Sequence, residues 1–233
     1  MQHSSEQLRE KQMVGQEAVK YIENGMVIGV GTGTTAAYMV QALAQRLREG
    51  LSIVGAVPTS QATAQLASSL GIPLTNLDTH PQLDLTIDGA DEIDSQLRLI
   101  KGAGGALLRE KIVATASRRF IIIADSSKLV PQLGHVFPVP VETIPFARTP
   151  VQLRLQALGA QVRLRQRDGQ VFHTDSNNII LDCFFPGGIS DPEALHANIK
   201  SIVGVVESGL FLGMAERAIV GSMNGVQIFT KPS

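Results

Sequence analysis

The chain repeatedly passes from a short apolar run, through a turn of glycines and polar residues, into a helical pattern. The clearest instance is VIGVGTGTTAAYMV, residues 27–40. A strand is expected at 26–30. A helix follows from Thr34 to Arg48, with Ala36, Val40, Leu43 and Leu47 on one stripe. The alternation recurs with SIVGAV (52–57) and then a helix entered through Thr59 or Ser60 and stopped at Gly71. LDLTIDGAD (83–91) is a strand ending in acids, GGALLREKIVATAS (104–117) a helix and RFIIIADSSK (119–128) another strand. A leading helix is expected from Ser4 or Ser5 to near Gly25. Strands this apolar on both faces belong in a parallel sheet covered by helices, which makes the fold class α/β.

Near residue 134 the pattern changes. HVFPVPVETI reads as a strand, and TPVQLRLQALG as a helix with Thr149 as cap, Pro150 first and Gly159 last. Two strand segments follow, joined through the hairpin pair Asp168-Gly169. Then come a helix capped by Asp191 with Pro192 next, and VVESGLF as a closing strand. The order β-α-β-β-α-β is that of a ferredoxin-like α+β unit over 134–208. Residues 209–233 are too few for a domain and carry an Asn224-Gly225 hairpin signal, so they are expected to return to the first sheet. That divides the chain into 1–133 plus 209–233, and an inserted 134–208.

Composition narrows the function. Lys and Arg total 20 against 21 Asp and Glu, a net charge of −1, which argues against a nucleic-acid binder. The histidines His3, His80, His135, His173 and His196 lack metal-ligand spacing and build no zinc site with the single Cys183. Cys183 lies in the apolar run NIILDCFF, as a buried structural thiol would. The start of the chain has no apolar leader core, and no aliphatic run approaches the ~20 residues of a membrane span. A soluble, cytoplasmic protein is expected.

Four stretches offer chemistry. GTGTTA (31–36) fits a small-anion site at a helix N-terminus, made by Thr32, Gly33, Thr34 and Thr35, or a Thr-capped turn with no ligand. A dinucleotide site would want an acid after the second strand, and a P-loop a lysine; neither is present. DGADEID (88–94) brings Asp88, Asp91, Glu92 and Asp94 together, as for sugar hydroxyls, a hard cation or a solvated turn. KGAGGALLREK (101–111) is a second candidate anion loop, from Lys101 into a helix. Within that helix, Leu107, Leu108, Ile112, Thr115 and Ala116 form an apolar arc opposite Glu110, which periodicity therefore turns to solvent. Lys128 follows the end of a further strand.

These motifs stand in the order, and close to the spacing, of the ribose-5-phosphate isomerase A family, and GVVESGLF (204–211) is similar to it as well. The resemblance covers essentially the whole chain. It implies a Rossmann-like domain with an α+β insertion, no metal or other cofactor, and a homodimer or homotetramer. It also implies interconversion of D-ribose 5-phosphate and D-ribulose 5-phosphate in the pentose phosphate pathway. Carried over, the substrate-binding residues are Thr32, Gly33, Thr34, Thr35, Asp88, Gly89, Ala90, Asp91, Lys101, Gly102, Ala103, Gly104 and Lys128. Thr34 stands where serine is commoner, and Ala103 where glycine is common. Glu110 corresponds to the general base, which moves a proton between C1 and C2 through an enediolate. Lys101 and nearby N–H groups are expected to hold the oxyanion, Asp88 to assist ring opening and Asp91 to hold hydroxyls. The rival readings are a sugar-phosphate sensor, which has no need of Glu110, and a magnesium-dependent phosphohydrolase.

Overall fold

The computed structural model describes residues 5–231. The helices are α1 (Ser5–Ala18), α2 (Thr34–Arg48), α3 (Gln61–Ser69), α4 (Leu107–Thr115), α5 (Arg148–Ala157) and α6 (Pro192–Lys200). The first strands are β1 (Val27–Val30), β2 (Gly55–Pro58), β3 (Leu85–Gly89), β4 (Glu92–Ile93), β5 (Leu99–Ile100) and β6 (Phe120–Asp125). After them come β7 (Val139–Thr143), β8 (Gln161–Leu164), β9 (Gln166–Arg167), β10 (Gln170–Val171) and β11 (Ile179–Phe184). The chain closes with β12 (Val205–Ser208), β13 (Leu210–Phe211), β14 (Arg217–Ser222) and β15 (Gly225–Thr230). Two compact units result. One takes the residues up to Ala90, Arg109–Lys128 and those from Met214 on; the other takes Asp91–Leu108 and Leu129–Gly213.

The first unit is built on one sheet of order β15-β14-β6-β3-β1-β2. Every pairing in it is parallel except the β14–β15 hairpin. The chain makes β1, adds β2 on one side and then crosses to place β3 on the other. The carboxyl ends of β1 and β3 thus flank a topological switch point, where open α/β sheets bind ligands. Side chains alternate along β1. Ile28 and Val30 join the core with Val14 of α1 and Met39 and Leu43 of α2, whereas Val27 packs with Val113 of α4. The mixed α/β architecture expected from the apolar runs is therefore present; of the stretch 209–233, β14 and β15 join the first sheet, whereas β13 pairs with β5 in the second unit.

The second unit carries an antiparallel sheet of order β12-β7-β11-β8, the ferredoxin-like order for β-α-β-β-α-β. β9 and β10 form the hairpin through Asp168-Gly169. Val141, Val151, Leu155, Leu181, Cys183 and Ile199 fill its core. Burial pushes the Cys183 thiol up, as expected of a structural cysteine. A smaller sheet, β13-β5-β4, belongs to the same unit. Glu92 in β4 is buried, and its carboxylate accepts the N–H groups of Gly134, Val136 and Phe137 at 2.6, 2.7 and 2.6 Å.

Local expectations moved in two places, at the starts of α5 and α4. Asp191 caps α6 as expected, accepting from Ala194 N–H. Thr149 does not cap α5. A 3-10 turn over Pro145–Ala147 runs directly into Arg148, so Ala147 takes the cap position and Pro150 falls within the first turn, where its missing N–H costs nothing. Helix α4 begins at Leu107 rather than 104, because Gly102–Gly105 form a turn closed by Gly105 N–H to Gly102 O at 3.0 Å. Of the expected entry residues of the first helix, Ser5 opens α1 and Ser4 lies outside the described residues.

The three N–H groups on Glu92 give a direct stability test. Removing the carboxylate leaves buried donors unsatisfied, each costing about 1–3 kcal/mol. Glu92→Ala should lower the unfolding free energy in urea by roughly 3 kcal/mol or more. A loss below about 0.5 kcal/mol, the usual range for a surface change, would contradict this account.

Candidate active site

In the first unit the polar groups gather after β1, β3 and β6. The β1–β3 ladder extends by one bond, Gly31 N–H to Ile87 O at 3.0 Å. Next along, Thr32 N–H donates to Asp88 Oδ1 at 3.0 Å, and Gly89 N–H donates to the same oxygen at 2.7 Å. Asp88 is fully buried. A Cβ on Gly31 would stand 2.0 Å from Asp88 Oδ1, so only glycine lets the turn lie against this carboxylate. Gly33 then takes φ +108 and becomes the cap residue of α2, with Thr34 and Thr35 as its first two residues. The first-turn N–H groups lie outside the helix's own ladder and face outward at its positive end.

The threonines of the turn divide their work. The Thr32 hydroxyl is engaged inside the unit, within 2.7 Å of Thr59 Oγ1, 2.9 Å of Ser60 Oγ and 3.2 Å of Thr63 Oγ1. Thr63 in turn donates to Gly31 O at 3.0 Å. This hydroxyl cluster holds the turn's shape from the α3 side. Thr34 is exposed, and its hydroxyl accepts from Lys11 Nζ at 3.0 Å. Between α2 and α3 an open cavity of about 320 Å³ is lined by the turn Gly31–Thr34 and Thr63 on one side and by Ala37, Val40, Ala62 and Leu66 on the other.

Lys11 was not singled out from the sequence. It is 2% exposed, deep on the stripe Lys11, Val14, Gly15 and Ala18 of α1. A lysine on an otherwise apolar i, i+3, i+4, i+7 stripe was the available signal. Its ammonium lies 3.8 Å from Asp125, and its neighbour Glu10 accepts from Ser126 N–H and Oγ at 3.2 and 3.3 Å. Ser127 also donates to Asp125 Oδ1. Glu10 and Asp125 therefore shape the 3-10 turn Ser126–Lys128, which presents the half-buried Lys128. Burial lowers the Lys11 pKa, Asp125 opposes this, and the nearby positive charge of Lys128 adds to the lowering.

Glu110 corrects the periodicity reading. It is 4% exposed and shares the buried face of α4 with Val113 and Ala114, whereas Ile112 is 47% exposed. The apolar arc was counted as if hydrophobicity alone oriented the helix. The face actually turned inward is the one on which Val113 packs with Val27, Val57 and Leu83. A carboxylate on that face is enclosed rather than solvated.

In the second unit, Asp91 and the loop from Lys101 lie together. Asp91 Oδ2 accepts Ala103 N–H at 2.8 Å. Lys101 N–H bonds to Gly209 O at 2.9 Å, and the buried ammonium sits 5.4 Å from the centre of the Phe211 ring. Gly102 has φ +109, and a Cβ there would meet Leu107 at 2.8 Å, so this position is closed to other residues. Ala103 and Gly104 are exposed, so the methyl on Ala103 meets no packing constraint. The acids beyond Asp91 do not assemble a cation site. Glu92 is committed to backbone N–H groups, and Asp94 Oδ1 accepts from Gln96 and Arg98 N–H while Oδ2 accepts from Arg98 Nε. Among the described residues no three His, Cys, Asp or Glu side chains are grouped to hold a metal ion. No helix among them is long and apolar enough to cross a membrane.

The lowered pKa of Lys11 has a definite sign in stability. Between that pKa and the ordinary 10.5 the unfolded chain binds more protons than the folded one, so stability rises with pH across the window. The unfolding free energy of the wild type minus that of Lys11→Met, measured in urea from pH 7 to pH 10, should therefore increase with pH. A flat or falling difference contradicts the burial of this charge.

The family model described as ribose 5-phosphate isomerase A (phosphoriboisomerase A) matches residues 55–225. Ribose-5-phosphate isomerase A of Bacillus mycoides is 52% identical over 217 residues, covering 93% of this chain and 97% of that protein. Among solved structures, ribose 5-phosphate isomerase A from Methanocaldococcus jannaschii superposes with a TM-score of 0.90 at 41% identity, over 95% of this chain and 98% of its own. A D-ribose-5-phosphate isomerase in complex with phospho-erythronic acid gives a TM-score of 0.92 at 40% identity, over 95% and 97%. No relative supports the sensing alternative. The match of the family model and the identity to these relatives over nearly the whole chain show that the chain belongs to the ribose-5-phosphate isomerase A family.

Proposed function

We propose that the chain interconverts D-ribose 5-phosphate and D-ribulose 5-phosphate through an enediolate, with Glu110 as the base. The observation that carries the assignment to Glu110 is its burial on α4, where periodicity alone had placed it in solvent. One carboxylate removes the proton from C2 and returns it to C1, and reverses the transfer in the other direction. Such a base contributes about 10²–10⁴-fold. The turn at Thr32, Gly33, Thr34 and Thr35 takes the phosphate, through first-turn N–H groups and the Thr34 and Thr35 hydroxyls, with Lys128 as a cation for it. Lys11 supports this reading, since its bond to the Thr34 hydroxyl leaves that hydroxyl's proton to donate. Thr32 braces the turn, its N–H being committed to Asp88 and its hydroxyl to Thr59, Ser60 and Thr63.

The remaining roles follow from chemistry. Lys101 and the N–H groups of Gly102 and Gly104 stabilise the enediolate oxygen, a contribution of about 3–4 kcal/mol per donor, while the Ala103 N–H is held by Asp91. Asp88, beside Gly89 and Ala90, assists ring opening, and Asp91 holds sugar hydroxyls. Phospho-erythronic acid, bound by the related enzyme, joins a phosphate to a carboxylate. A carboxylate spreads negative charge over two oxygens as an enediolate does, which fits a site built for that intermediate. The enzyme is further proposed to work without metal, in the cytoplasm, as a homodimer or homotetramer. The single, buried Cys183 suits a reducing compartment.

Glu110→Gln should lower kcat by about 10²–10⁴-fold while binding of ribose 5-phosphate stays within a few-fold of wild type. Turnover near the wild-type rate would refute the base. A coupled assay of ribulose 5-phosphate formation should run equally fast with and without EDTA. Loss of activity in EDTA, restored by magnesium, would overturn the metal-independent reading.

A further inference from the structure

The segment VRLRQRDG carries Arg163, Arg165 and Arg167 at alternate positions, as a solvated strand face would. The structure separates them. Arg163 lies over the Phe184 ring and Arg167 over Phe172. Arg165, between β8 and β9, has a side chain only 14% exposed and forks onto Asp182 of β11, which is 16% exposed. Its Nε donates to Asp182 Oδ2 at 2.9 Å, and Nη2 donates to Oδ1. The remaining nitrogen, Nη1, donates to Gly102 O at 2.6 Å and to Ala103 O at 3.2 Å. The arginine backbone is itself pinned, by Arg165 N–H to Ile180 O and by Phe172 N–H to Arg165 O.

These bonds fix two consecutive peptide planes. In the first, Gly102 O accepts from Arg165 Nη1 and from Gly105 N–H, and the Ala103 N–H donates to Asp91. In the second, the Ala103 carbonyl is held by Arg165. A trans peptide points its N–H opposite to its C=O, so the Gly104 N–H is aimed away from the guanidinium. That N–H makes no hydrogen bond among the described residues, and Gly104 is exposed. We propose that Arg165, held by Asp182, is a positioning residue for the isomerisation. It sets the two peptides after Lys101 so that the Gly104 N–H and the lysine meet the enediolate oxygen in one fixed arrangement. The planar guanidinium forks onto the carboxylate through Nε and Nη2 and keeps Nη1 for the two carbonyls; an ammonium, a single point on a flexible stem, does not reproduce that fixed fork.

This inference rests on the oxyanion role proposed above for the Lys101 loop, and the test separates the two. Steady-state kinetics on ribose 5-phosphate are compared for wild type, Arg165→Gln, Arg165→Lys, Arg165→Ala and Lys101→Met, each checked by circular dichroism. A loop displaced by about 1 Å loses up to about 10²-fold in rate, so Arg165→Gln should lose about tenfold or more in kcat with KM within about threefold. Arg165→Lys should recover little. Millimolar guanidinium should restore part of the kcat of Arg165→Ala and none of that of Lys101→Met. If Lys101→Met loses turnover while Arg165→Gln keeps kcat within twofold, the positioning role alone is overturned. If both keep turnover, the loop's role falls and the positioning role with it. Should the Gln and Ala variants not fold, Arg165→Lys decides: kcat at half of wild type or more overturns the proposal.

Discussion

The site in the first unit depends on one buried carboxylate. Asp88 is the last residue but one of β3, and its Oδ1 accepts both Thr32 N–H and Gly89 N–H against a glycine that leaves no room for a Cβ. Hydrogen bonds to a charged acceptor are among the stronger ones, about 1.5–3 kcal/mol each. They join the turn after β1 to the strand beside it at the sheet's switch point. The orientation of the α2 N-terminus follows, and with it the positions of Thr34 and Thr35. Three hydroxyls of the α3 side close on Thr32, and Lys11 closes on Thr34, so the turn is braced from both flanks.

The second unit uses the same device. Asp91 holds Ala103 N–H, Glu92 holds three N–H groups of 134–137, and Asp94 organises its own turn with Arg98. An acid-rich stretch that composition would assign equally to a cation is, for Glu92 and Asp94, loop architecture. Arg165 performs the converse task on carbonyls. Carboxylates that collect N–H groups and a guanidinium that collects C=O groups give short loops the rigidity that differential stabilisation of a transition state demands.

Much of this was legible in the sequence because each element carried its own local signal. The α2 stripe, a cap of α3 at Thr59 or Ser60 (it is Ser60), the Asp191 cap, the Asp168-Gly169 hairpin and the doubly apolar β1 and β6 were all read from spacing alone. What was not legible depended on partners distant in the chain. The inward face of α4 is set by packing on Val27, Val57 and Leu83, so counting apolar residues turned Glu110 the wrong way. Lys11 stands on the apolar stripe of α1, but the groups that hold it, Thr34 and Asp125, are distant in the chain. Arg165 looks like its neighbours Arg163 and Arg167 until residues 102 and 103 fold against it. The motifs resembling the family pointed to Glu110 where periodicity could not.

The central claim is that Glu110 carries the proton between the two carbons. Its most direct test is solvent exchange at C2, followed by NMR with ribose 5-phosphate in D2O. The wild type should incorporate deuterium at C2. Glu110→Gln should show none above the uncatalysed rate, although it still binds the sugar phosphate and the anomers still interconvert. Deuterium entering C2 at the wild-type rate in that variant would contradict the account.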